Sequence, residues 1–124
     1  DMETKTKRQV GDEAEALVVE HYEREGWTVR DRNVLSRRGE VDIVAEKGQA
    51  LAFIEVRMRA TDVWGDPSLT VGRGKQRRVV LAALQYLQRQ RLMDRAIQFD
   101  VASVVGKGRK GRVEIIPDAF ESGF

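Results

Sequence analysis

Two short apolar runs carry acids at spacings that could do chemistry: Gly39-Glu40-Val41-Asp42 and Ile54-Glu55-Val56-Arg57. Side chains alternate faces along a strand. Glu40 and Asp42 would therefore share one face, and Glu55 and Arg57 one face. Val41, Ile43, Ile54 and Val56 would take the other. If the two strands pair, three carboxylates and a guanidinium converge. Burying such a cluster is costly unless its charge is compensated, and a hard divalent cation with oxygen ligands is the natural compensator. The chain has no cysteine, and His21 is its one histidine. Disulfides, thiolate metal sites and cysteine nucleophiles are excluded. Zinc rarely accepts an all-carboxylate site, whereas Mg²⁺ or Mn²⁺ does so readily.

The elements that must position these residues follow from local pattern. Gly11 to Glu25 reads as an amphipathic helix stopped by Gly26, with Ala14, Leu17, Val18, Val19 and Tyr22 on its apolar arc. At about 100° per residue Glu15 falls inside that arc, which makes it the odd acid of the helix. Trp27 to Asn33, Glu40 to Glu46 and Ala50 to Met58 read as three strands, the last two joined tightly at Lys47-Gly48-Gln49. Arg59 to Gly74 has Gly65, Pro67, Gly72 and Gly74 without a sustained period, as in a long surface loop. Lys75 to Arg91 reads as a helix with an apolar middle, Val79 to Leu84 with Leu87. Ile97 to Val105 and Arg112 to Pro117 read as closing strands around the turn Gly106 to Gly111. The order is αβββαββ, a mixed α/β (α+β) class.

At 124 residues, 41% hydrophobic and 34% charged, the chain has the length of one domain and the makeup of a folded, soluble one. Residues 1–10 are expected as a flexible N-terminal segment and 11–120 as a single domain. No apolar run approaches the roughly 20 residues that cross a bilayer, and the start lacks a signal-peptide core. A cytoplasmic location without a membrane partner is the expectation. The net charge of +2 is small, but it is unevenly spread. Gly11 to Glu25 holds six acids against Arg24 alone, while Val71 to Arg95 holds seven bases against Asp94 alone. Arg73, Lys75, Arg77 and Arg78 sit at a helix start, where the dipole disfavours cations. Such placement suits an external anion, for instance a phosphate backbone. Arg37 and Arg38, just before the acids, would flank the site on a second side.

Together, Glu15, Gly26-Trp27, Arg32-Asn33, Arg38-Gly39-Glu40-Val41-Asp42, Phe53-Ile54-Glu55-Val56-Arg57, Gly65, Pro67 and Lys75 resemble the YraN-type predicted endonucleases of bacteria. The resemblance runs from about Gly11 to Phe120. That family is similar to archaeal Holliday junction resolvases and belongs to the PD-(D/E)xK nuclease superfamily. The resemblance implies a restriction-endonuclease-like fold, a central mixed β-sheet flanked by helices. It also implies Mg²⁺- or Mn²⁺-dependent hydrolysis of DNA phosphodiester bonds. Branched or junction DNA would be the favoured substrate, and two cuts at a symmetric junction would favour a homodimer.

Carried over residue by residue, Asp42 is the motif aspartate and Glu55 the motif acid. Glu15 is the helix glutamate, holding metal directly or through water, and Arg57 stands at the motif lysine position. Glu40 is open between a ligand, a group that orients a neighbour, and a turn-capping acid. Arginine cannot act as a base at usable pH, but it can hold a water or a phosphate oxygen. Lys47 and Lys75 are conceivable substitutes, and sequence spacing places neither amine at the acids. Two alternatives stay open: a nucleic-acid-binding module whose catalysis Arg57 has weakened, and a scaffold that does not touch nucleic acid.

Overall fold

Seven elements appear in a computed structural model, which describes residues 5–59, 71–106 and 110–123. They are α1 (Lys7–Arg24), β1 (Thr28–Leu35), β2 (Glu40–Lys47), β3 (Ala50–Arg59), α2 (Arg73–Gln90), β4 (Ala96–Val105) and β5 (Arg112–Phe120). The strands form one five-stranded sheet whose spatial order follows the chain, β1-β2-β3-β4-β5. β1, β2 and β3 make the predicted antiparallel meander. α2 then carries the chain over so that β4 lies parallel to β3, and β5 returns antiparallel. The result is the mixed α/β class, with the sheet between the two helices.

Several boundaries differ from expectation for local reasons. α1 starts at Lys7 rather than Gly11, because Thr6 and Gln9 cap it reciprocally. The Gln9 amide donates to the Thr6 hydroxyl at 3.1 Å and the Thr6 amide to the Gln9 side chain at 2.8 Å. α2 begins at Arg73, two residues before Lys75. β5 runs past Pro117, which an edge strand tolerates because nothing among the described residues pairs with its outer side. The register slips there between Phe99 and Val101 of β4, and the freed Asp118 amide donates to the Asp100 carboxylate at 3.0 Å. Trp64, Gly65, Pro67 and most of the predicted loop lie outside the described residues, as does the middle of the Gly106–Gly111 turn.

Both faces of the sheet are covered, which is why β2 and β3 read as nearly unbroken apolar runs. On the α2 side, Val41, Val44, Leu51, Phe53, Phe99 and Val101 pack on Val79, Ala82, Ala83 and Leu87. Phe53, Phe99 and Phe120 stack in sequence, with ring centres 5.7 and 5.2 Å apart. On the α1 side, Ile43, Ala45, Ala52, Ile54, Ala102 and Val104 meet Ala14, Val18 and Tyr22. Strict alternation put Val41 with Ile43; instead Val41 joins the α2 side and Ile43 the α1 side. The strand's alternation breaks at Asp42, beside the acids. Among the described residues no helix is long and apolar enough to cross a membrane.

Candidate functional site

The break at Asp42 coincides with the end of the β2–β3 ladder. Cα partners run from Lys47 with Ala50 up to Ile43 with Ile54, and the register ends there. Beyond it the Asp42 side chain takes over from the backbone, accepting the Val56 amide at 2.8 Å. β3 is the central strand and continues its pairing with β4, Glu55 lying beside Val101 and Arg57 beside Ser103. Glu55, which follows Ile54, is therefore held on a rigid strand at the point where its other neighbour diverges. Only 4% of it is exposed.

The two oxygens of Glu55 meet different surroundings. Oε2 lies 3.5 Å from the ammonium of Lys75, which projects from the first turn of α2. Oε1 is buried and has no hydrogen-bond partner among the described residues. Burial, and then the neighbouring Asp42 charge, push the Glu55 carboxyl up to about 7 against the pull of Lys75. Burial likewise raises Asp42, opposed chiefly by the Val56 amide it accepts. An acid pair in this state either shares a proton or welcomes a cation.

Glu15 arrives from α1 as its place in the apolar arc requires, with 13% of its side chain exposed. Burial and the charge of Asp42 raise its carboxyl, while Asn33 and Arg32 work the other way. Its Oε1 accepts from Asn33 at 3.3 Å and Arg32 at 3.5 Å. Asn33 adopts a left-handed φ of 52° between the Arg32–Ile43 and Val34–Val41 pairs, which sets it opposite Asp42. Glu40 is exposed, and its charge is felt at Asp42. Asp42 and Glu55 are thus the carboxylates that could hold a cation together, with Glu15 within electrostatic reach. Among the described residues no three acids or histidines form a ready-made metal cage.

The basic residues divide. Arg57 is half-buried and makes no hydrogen bond or ion pair with a described residue, whereas Lys75 contacts Glu55. Arg37 and Arg38 are exposed on the turn between β1 and β2. The Ser36 hydroxyl fixes that turn by accepting the amides of Gly39 at 3.1 Å and Arg38 at 3.2 Å. Both arginines border a hollow with Leu81 and Gln85 of α2. Arg73 and Arg77 line the adjoining hollow, which also includes Leu81. Arg78 is exposed, and its backbone carbonyl lies against Gly39. Sequence reasoning left Lys75 unplaced, although a signal existed: four residues before buried Val79, it begins the stripe that continues through Ala82 and Tyr86. Asn33 carried no such signal.

Comparison with known sequences gives a family. The sequence model of the uncharacterised protein family UPF0102, the YraN family, matches residues 14–104. A UPF0102 protein of Myxococcus xanthus is 50% identical over 118 residues, covering 95% of this chain and 94% of its own. One from Geobacter metallireducens is 38% identical, covering 94% and 96%. Another from Anaeromyxobacter dehalogenans is 41% identical, covering 93% and 86%. With the family model covering β1 to β4, α2 and the greater part of α1, the chain belongs to the uncharacterised protein family UPF0102.

Proposed function

We propose that this protein is a metal-dependent endonuclease that hydrolyses DNA phosphodiester bonds, with branched DNA as its preferred substrate. The observation that carries this reading is the Asp42–Glu55 pair at the open end of the β2–β3 ladder. One buried carboxylate oxygen there has no protein partner among the described residues, and both carboxyls are raised. The donor set fits Mg²⁺ or Mn²⁺: all oxygen, with one or two carboxylates, leaving further positions for water and substrate phosphate. Such an ion would supply Lewis acidity toward the scissile phosphate and the attacking water.

The chain's own residues do the rest. Asp42 is aimed by the Val56 amide, and Glu55 by its central strand, so neither must reorganise when a cation or a phosphate arrives. Glu15, tethered by Asn33 and Arg32, adds negative potential beside Asp42 and would help hold the ion there. Glu40 lies at the exposed rim, where it can orient solvent. Arg37, Arg38, Arg73, Arg77 and Arg78 supply phosphate contacts that position the strand without reading bases. In the reaction the water oxygen forms a new bond to phosphorus as the bond to the leaving sugar oxygen breaks. That oxygen takes up a proton and the attacking water gives one to solvent. A homodimer would make the paired cuts that a symmetric junction requires.

The test is cleavage of labelled linear, flapped and four-way-junction DNA with Mg²⁺, Mn²⁺ or EDTA, beside Asp42→Ala. The expected result is metal-dependent cutting, strongest on the junction, that falls at least about a hundredfold in Asp42→Ala. Salt-sensitive binding without cutting would identify a binding module instead. Neither binding nor cutting would leave the scaffold.

A further inference from the structure

Two cations flank Glu55, and they are not equivalent. Arg57 follows two residues later on the same strand and occupies the motif lysine position. It bonds to no described residue, and it is not among the chief influences on either carboxyl of the acid pair. Lys75 comes from another element, yet its charge acts on both Asp42 and Glu55, and its Nζ stands 3.5 Å from Glu55 Oε2. That separation exceeds the roughly 2.7–2.9 Å of a committed ammonium–carboxylate hydrogen bond. The ammonium is thus paired with Glu55 without a short hydrogen bond to it, its charge is felt at Asp42, and it has three donors to distribute.

The placement of Lys75 is built into the packing. It lies on the sheet-facing stripe of α2, one turn before Val79, which is fully buried. Gly39, at the mouth of β2, lets the helix come this close: a Cβ there would collide with the Arg78 carbonyl oxygen, and Arg78 is one turn beyond Lys75. The same approach that brings β2 against α2 thus fixes how far Lys75 extends over the acid pair.

We infer that Lys75 of α2, rather than Arg57 of β3, is the cation that grips the scissile phosphate beside Asp42 and Glu55. This inference rests on the nuclease reading and assigns to a helix residue the work that the family pattern gives to the strand position. A compact ammonium on a flexible stem can turn from Glu55 to a non-bridging phosphate oxygen and stay near the charge that develops during displacement. Arg57 remains at the rim as a phosphate contact.

The experiment compares the full chain with Lys75→Met, Lys75→Arg, Arg57→Met and Asp42→Ala in two readouts. The first is junction cleavage with Mg²⁺. The second is Mn²⁺ affinity in the absence of DNA, followed by electron paramagnetic resonance. Melting temperatures confirm folding, and Lys75→Gln replaces Lys75→Met if the latter is unfolded. Lys75→Met is expected to cut about a hundredfold more slowly, with Lys75→Arg in between and Arg57→Met within about tenfold of wild type. Lys75→Met should also bind Mn²⁺ several-fold more tightly, since it removes a cation competing for Glu55. A merely structural loss would weaken that binding. Equal losses in Lys75→Met and Arg57→Met, or wild-type cutting by Lys75→Met, overturn the inference. If wild type cuts none of the substrates, or Asp42→Ala cuts like wild type, the nuclease reading fails. The Mn²⁺ titration then decides alone, and an unchanged affinity in Lys75→Met overturns the place of Lys75 at the acids.

Discussion

Glu55 shows what a buried carboxylate on a central strand costs the fold. It loses solvation, faces the charge of Asp42, and recovers only part of this from Lys75, so its carboxyl rises to about 7. A group whose pKa is raised on folding binds more protons in the native state than in the unfolded one. Its contribution to stability is therefore fully present below the unfolded value near 4.5 and is lost as the pH climbs through about 7. Asp42 is shifted in the same direction and adds to the trend. Glu55→Gln removes the charge while keeping the shape and can donate to Asp42. Its melting temperature should exceed that of wild type by several degrees at pH 8, with the gap closing as the pH falls toward 4.5. Thermal scans across that range decide it, and a lower melting temperature for Glu55→Gln at pH 8 would refute the assignment.

At the scale of elements, the site depends on how closely α2 approaches the start of β2. Gly39 does not have a positive φ, so what it supplies is space rather than an unusual backbone. Gly39→Ala would drive a Cβ into the Arg78 backbone and push helix and strand apart. A cost of about 2–3 kcal/mol is expected, as for other insertions into a packed interior. Gly74, in the first turn of the same helix, has nothing within 4 Å of where a Cβ would stand. Gly74→Ala should stabilise by about 0.5 kcal/mol through helix propensity. Urea unfolding of the two variants gives opposite signs if Gly39 is a spacing device, and equal small effects if it is not. On the other face, α1 is fastened by Tyr22, whose hydroxyl donates to Asp100 at 2.6 Å. Asp100 also accepts from Gln98 at 3.0 Å and from the Asp118 amide at 3.0 Å, so one buried carboxylate ties α1, β4 and β5 together. That clasp holds the helix that carries Glu15.

For the whole molecule, the small net charge conceals a divided surface. The five acids of α1 are exposed or half-buried, while Arg73 and Arg77 of α2 and Arg37 and Arg38 of the β1–β2 turn border hollows that share Leu81. A phosphate backbone lying along that basic side would leave the acid pair within its reach. The double variant Arg73→Ala/Arg77→Ala should bind every DNA form more weakly. The slope of log K against log salt should also become shallower by about 0.9 for each phosphate that the variant no longer neutralises. Glu20→Ala, on the acidic helix, should leave the slope unchanged. Gel-shift titrations at several salt concentrations make the comparison, and equal slopes for all three proteins would remove α2 from the interface.

The αβββαββ order, the antiparallel meander and the helices' buried stripes were determined by the sequence itself. Alternation and helical period are local, and Ala14, Val18 and Tyr22 of α1 or the apolar middle of α2, Val79 to Leu84 with Leu87, carry them without help from distant residues. Local pattern also marked Glu15, Asp42 and Glu55 as acids in apolar settings, because a charge among buried neighbours is visible in one dimension. Only the tertiary structure decided that β2 changes face at Asp42, that its ladder with β3 stops at Ile43 and Ile54, and that an aspartate side chain replaces the next backbone bond. It alone brought Lys75 to Glu55, passed over Arg57, and turned Arg32 and Asn33 toward Glu15. Each of these depends on the distance between elements well apart in the chain, set by packing at positions such as Gly39 and Arg78, and no periodicity within a segment encodes that distance.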